Sequence, residues 1–181
     1  LNPVEITLKA GTTSASVRGS VNNLIGNRSL ALDIEASGEH FGDSVGLFFA
    51  DLAPSIDALF AGQIQATGKL VGWPGRGLRV EELQAALSAP QIKMTAEGVI
   101  ELDPADPKRN GSMVKVRLHA DTPSIRELVA LFGPQLPINA NASASGELVG
   151  GVGNFGIEQL QVVVKGEVLA LTSTGRISSL G

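Results

Sequence analysis

The feature that most restricts what this chain can become is a period of two in its apolar residues. "LALDIEA" puts Leu30, Leu32, Ile34 and Ala36 on one side of an extended backbone and Asp33 and Glu35 on the other. "VKVRLHA" does the same, with Val114, Val116, Leu118 and Ala120 opposite Lys115, Arg117 and His119. "IQATGKL" and "INANASASGEL" alternate as well, with alanine and glycine on much of the apolar side. Extended along the chain, this pattern predicts ten strands near 4–10, 14–22, 29–36, 62–71, 78–88, 91–102, 112–120, 138–149, 155–165 and 168–178. Short turns make most pairings antiparallel hairpins, and the 103–111 loop "DPADPKRNG" carries an Asn-Gly turn signal.

Two stretches break the alternation. Val45, Phe48, Phe49 and Leu52 have the i, i+3, i+4, i+7 spacing of a short amphipathic helix, and Ile125, Leu128, Val129 and Phe132 repeat it 80 residues later. Pro54 closes the first and Pro134 the second; Thr122 is expected to cap the second with Pro123 at its first helical position, and Gly42 or Asp43 the first. Other features recur at a similar distance. "GKLVG" at 68–72 returns as "GELVG" at 146–150, and the hairpin-like segments 4–24, 80–102 and 157–180 carry late glycines at Gly19, Gly98 and Gly175. A period near 78 divides the chain into units 1–79 and 80–156 and the start of a third at 157–181, one segment of a repeat array.

Composition narrows the function. The chain has 181 residues, 43% of them hydrophobic, which supports a packed fold rather than disorder. Fourteen basic and 18 acidic residues are mixed along it, so no basic surface for nucleic acid is expected. The absence of cysteine removes disulfides, thiolate metal sites and thiol nucleophiles. No signal peptide or membrane span is visible, and the start "LNPVEITL" reads as a piece cut from something longer.

An area argument then decides the kind of object. Ten strands present a sheet face of roughly 1,000 Å², of which two short helices hide only about 300 Å². Soluble monomers seldom expose more than a few hundred Å² of contiguous apolar surface, so the remainder must fold over, meet a partner or hold an apolar ligand. A self-packed or partner-covered sheet, serving as a scaffold or interaction module, is the alternative reading. Small inner residues weigh against a closed sandwich, because they leave volume that Val, Ile and Phe would fill; aromatics are few, with six Phe, one Trp and no Tyr. Alternation assigns the lining of an apolar trough to Ala15, Val17, Leu32, Ile34, Ile64, Ala66, Ala85, Leu87, Met94, Ala96, Ile100, Val114, Val116, Leu118, Ala140, Ala142, Ala144, Val162, Val164 and Leu171.

The Gly-rich alternating strands "SASVRGSV", "KMTAEGVIEL" and "LTSTGRISSL", the G-x-LVG strand ends and the segment "TPSIRELVALFGPQLP" together resemble the AsmA-like family of bacterial envelope proteins, of the bridge-like lipid transfer type. The likeness spans essentially the whole chain, on motifs that are individually degenerate. It implies a mainly β chain with two short helices: a long curved antiparallel sheet forming an open, taco-like groove. It further implies a periplasmic location, in a protein anchored in the inner membrane, with phospholipid or another acyl lipid as cargo. Neighbouring repeats of the same full-length chain would be its partners. The two helices depart from the simplest all-strand groove.

No enzyme is expected. His40 and His119 lack partners at the spacing of a zinc site or a Ser/His/Asp set. "GWPGRG" at 72–77 lacks the Lys-Ser/Thr and following helix of a phosphate loop and reads as a turn, with Trp73 at the strand end. Asp103, Asp106, Glu81 and Glu82 read as solvated charges, and neither cofactor nor metal is called for.

Overall fold

The structure, a computed structural model, describes residues 2–10, 12–22, 29–39, 62–73, 77–102, 113–130, 139–151, 154–167 and 170–178. Ten strands form there: β1 (Asn2–Ala10), β2 (Thr13–Asn22), β3 (Ser29–Gly38), β4 (Gln63–Trp73), β5 (Gly77–Ser88), β6 (Lys93–Leu102), β7 (Met113–Thr122), β8 (Ala140–Gly151), β9 (Asn154–Gly166) and β10 (Ala170–Ile177). They make one antiparallel sheet in strict chain order, β1 through β10, so each strand pairs with its sequence neighbours. The sheet is not closed: β1 and β10 each have a single partner strand. The expectation of a mainly β chain therefore holds at the level of one open antiparallel sheet.

Alternation explains the burial. Along β7 exposed and more buried residues take turns, with Val116 buried between exposed Lys115 and Arg117. β5 departs from strict alternation, and the reason is a bulge. Val80 pairs with Ile100 and Leu83 with Gly98, so three residues of β5 span what two residues of β6 span; the ladder to β4 shifts at the same place. Glu82 takes up the extra residue in a left-handed conformation, φ 53°. β9 does the same at Gln159, φ 51°, shifting its ladders to both β8 and β10. Each bulge moves the apolar set from one parity to the other, from Leu78 and Val80 to Leu83, Ala85 and Leu87, and from Phe155 and Ile157 to Leu160, Val162 and Val164.

Turns fix the remaining register. Between β4 and β5 the hairpin closes with Gly72 opposite Leu78 and Trp73 opposite Gly77, and Gly72 and Gly77 hold φ of 112° and 99°, values that a side chain would strain. Between β5 and β6, Ala89 and Ile92 exchange backbone hydrogen bonds of 2.9 and 3.3 Å around Pro90 and Gln91. Leu87, Ala89 and Ile92 are buried there, with Ile64, Met94 and Ala120 packed against them, and form the small core of the described chain.

One helix is described, α1 (Ile125–Ala130), packed on β8. Its cap differs from the expected one. Ser124 Oγ accepts the hydrogen bond of the Glu127 amide at 3.2 Å, the geometry of a Ser-x-x-Glu N-cap, so Ser124 rather than Thr122 caps it and Pro123 lies before the helix. Thr122 is buried and is the last residue of β7; its hydroxyl donates to the Ser124 carbonyl at 3.1 Å and accepts from the Ser124 amide at 3.3 Å, tying the strand end to the cap. The helix predicted around 45–52 and the loop 103–111 lie outside the described residues, as do Phe132 and Pro134.

Candidate functional site: the apolar face

Register shows which residues stand side by side. In an antiparallel ladder, residues directly opposite one another project from the same face. Following the pairs, all twenty residues assigned to the trough project from one face of the sheet. That face also holds Ile6, Leu8, Leu70, Val80, Leu83, Leu148 and Ile157, which the trough assignment leaves out, and Ala36, already on the apolar side of "LALDIEA". The spacing Val-Glu-Glu-Leu at 80–83 and Ile-Glu-Gln-Leu at 157–160 was the signal, because two polar residues between aliphatics break a period of two where a bulge belongs.

The alanines are not scattered over this face. Ala15 pairs with Ala36, Ala36 with Ala66, Ala66 with Ala85 and Ala85 with Ala96, a single row crossing five adjacent strands. At a strand spacing of ~4.8 Å the row is about 19 Å long and runs perpendicular to the strands. Larger residues border it: Val17 and Ile34 on one side, Ile64, Leu87 and Met94 on the other. The result is a low lane with an aliphatic border on part of each side, interrupted by Gly68 and Gly98 on one and by Gly38 on the other. Ala140, Ala142 and Ala144, by contrast, follow one another along β8 and do not join that row.

Little of the face is sealed. Among the described residues the buried apolar ones are Leu87, Ala89, Ile92, Val116 and Ala140, and no large side chain falls below 2% exposure. The rest of the face is half-buried or open; Leu8 and Leu171, at opposite edges, are 64% and 53% exposed. Substantial contacts between described elements join ladder neighbours, or α1 to β8, and none bring a second sheet across the first. The chain exposes 11,927 Å², whereas a compact monomer of 18.7 kDa would expose about 8,300 Å².

The opposite face is polar and its charges pair across strands. Arg18 Nε lies 3.0 Å from Glu5, Lys115 Nζ 3.7 Å from Glu147, and Arg79 3.8 Å from Glu101 while also meeting Glu81; Arg117 joins Glu97. Exposed pairs of this kind contribute about 0–1 kcal/mol each, so they mark the solvated side more than they hold the sheet together. A depression of about 600 Å³ opens on this side, ringed by Gln65, Thr67, Gln84, Glu97, Arg117 and His119. It is a gap between long solvated side chains above small ones, and the exposed His119 in it lies 2.9 Å from the Asp121 carboxylate.

Residues weighed for chemistry do not converge. His119 and Glu81 lie on the polar face, Glu82 forms the β5 bulge, Trp73 is half-buried at the end of β4, and His40, Asp103 and Asp106 lie outside the described residues. Among the described residues no group of His, Asp and Glu could hold a metal ion, and no helix is long and apolar enough to cross a membrane. Comparison with protein-family models, with curated proteins and with solved structures finds no match for this chain.

Proposed function

We propose that this chain is a segment of a periplasmic lipid-transfer protein of the AsmA-like kind, whose apolar sheet face forms a groove that shelters phospholipid acyl chains between two membranes. One observation carries the reading: an apolar face continuous across ten strands with no second layer of described residues over it. Moving a two-chain lipid through water unsheltered costs on the order of 20 kcal/mol at ~0.8 kcal/mol per methylene. A trough lowers that cost by contact alone and needs no catalytic group. The alanine lane suits a chain that must slide, since small side chains leave room and offer no deep pocket in which a tail would stall.

The repeat reading belongs to the same proposal and has its own support. Gly68 and Gly146 sit at equivalent shifts of the β4–β5 and β8–β9 ladders, 78 positions apart. Gly72 and Gly150, also 78 apart, both have positive φ, and the left-handed bulge residues Glu82 and Gln159 are 77 apart. Four strands then make one unit, and successive units extend one trough.

The test is lipid content. The protein purified from bacteria should carry phospholipid at near-stoichiometric levels by native mass spectrometry and organic extraction. Leu118→Asp and Ala142→Asp, on the apolar face, should lower loading at least fivefold, and Arg117→Asp, on the polar face, should leave it within twofold. A lipid-free protein that also fails to bind a fluorescent fatty acid would replace the conduit with a scaffold whose face is covered by a partner.

A further inference from the structure

The free edge of β10 is shaped for one more strand. Three glycines expose this. Gly98 of β6 pairs with Leu83, the residue after the left-handed Glu82; Gly175 of β10 pairs with Leu160, the residue after the left-handed Gln159. The two glycines therefore occupy the same place relative to their bulges. Gly98 is followed by β7, whose backbone comes so close that a β-carbon on Gly98 would lie 2.2 Å from the Lys115 carbonyl oxygen and 2.8 Å from the Val116 α-carbon. Gly19 of β2 meets β3 identically, with a β-carbon 2.2 Å from the Ala31 oxygen and 2.8 Å from the Leu32 α-carbon. A β-carbon at Gly175 would have none of the described residues within 4 Å beyond its own chain neighbours. Glycine is required at the first two positions by the strand that follows, and at the third the clearance is present without the strand.

We infer that β10 pairs antiparallel with an extended segment of the β3 and β7 type, in the register that sets an aliphatic residue opposite Gly175, as Leu32 stands opposite Gly19 and Val116 opposite Gly98. The inference deepens the array reading of the proposed function and rests on it. Side-chain chemistry specifies the partner further. On the apolar side it meets Leu171, Ser173 and Ile177, which calls for aliphatic or small residues at alternate positions. On the polar side β10 offers Thr172, Thr174 and a single charge, Arg176. Arg18 faces Asp33 across the β2–β3 junction, and Arg117 is paired with Glu97 across β6–β7. By the same complementarity the β10 partner carries carboxylates on its polar side. A β3-like strand puts Asp33 diagonal to Arg176 on the same face, whereas a β7-like strand puts Lys115 directly against it.

The experiment uses the whole 181-residue chain and a fluorescein-labelled peptide copying β3, Ser29–Gly38. Saturable binding by anisotropy is expected, with at least tenfold slower amide hydrogen exchange in β10 and unchanged exchange in β1. A peptide copying β7, Met113–Thr122, should bind at least fivefold more weakly. Gly175→Val should abolish binding while leaving the thermal unfolding midpoint of the free chain unchanged, because the site around Gly175 is open. Arg176→Glu, on an exposed position, should reverse the preference between the two peptides. Equal binding by Gly175→Val, protection of β1 in place of β10, or β10 amides already slow in the free protein because two copies pair there would each overturn the inference. Lipid content measured on the same samples keeps the two proposals apart: lipid retained without peptide binding sinks this one alone, and peptide binding without lipid sinks the conduit alone.

Discussion

Glu82 and Gln159 hold left-handed backbone conformations that cost a residue with a β-carbon about 1–2 kcal/mol. Each does so at the bulge that turns the apolar set of its strand to the correct face, so the strain is the local cost of a long-range register. Glu82→Gly and Gln159→Gly are therefore expected to raise stability by about 1 kcal/mol each, read by urea denaturation, since glycine adopts that conformation freely. Gly19→Val and Gly98→Val are expected to go the other way by about 1–3 kcal/mol or more, because the neighbouring strand must move to admit the side chain. The alanine lane allows a test without charge. Ala66→Phe, at the middle of the row, should halve lipid loading or better while shifting the unfolding free energy by less than about 1.5 kcal/mol, since the position is only half-buried.

At the scale of elements, the strands were legible because alternation is local: each of the ten predicted segments overlaps the strand found, as "LALDIEA" does with β3 and "VKVRLHA" with β7. The common face of the twenty trough residues was legible for the same reason. What alternation could not supply is who stands beside whom. The meeting of Ala15, Ala36, Ala66, Ala85 and Ala96 in one row depends on turn lengths and bulges far apart in the chain, so alternation puts these alanines on the apolar side without lining them up. The start of α1 was misplaced because Thr122 and Ser124 are both good caps, and the pairing of β7 with β8 keeps Thr122 in the strand, opposite Ala142. Ser124→Ala should cost about 1 kcal/mol of local stability. Faster amide exchange confined to 125–130, with β7 and β8 unchanged, is the expected signature.

At the largest scale, the governing fact is that the described residues form a single layer. The chain's exposed area exceeds that of a compact chain of its mass by more than two-fifths on the size scaling, and its two outer strands present open backbone together with Ile6, Leu8, Leu171 and Ile177. Such edges associate. Replacing Leu8 and Leu171 by lysine puts inward-pointing charges on the outermost strands, a device that blocks edge pairing, and is expected to keep the chain monomeric in sedimentation at concentrations, well above those of the peptide titration, where the unmodified chain forms oligomers. Raising salt should change the unfolding free energy by under about 1 kcal/mol, because the cross-strand ion pairs are solvated and screened already.

Strict chain-order pairing has a consequence for how such a molecule can change size. When every strand bonds only to the ones before and after it, inserting or deleting a hairpin leaves every other ladder intact and returns the chain travelling in the same direction with the same side turned inward. A lone extra strand would reverse the direction of everything downstream. Growth in steps of two is therefore the route open to a lineage of these sheets, and breadth becomes a matter of counting hairpins rather than of inventing a new topology.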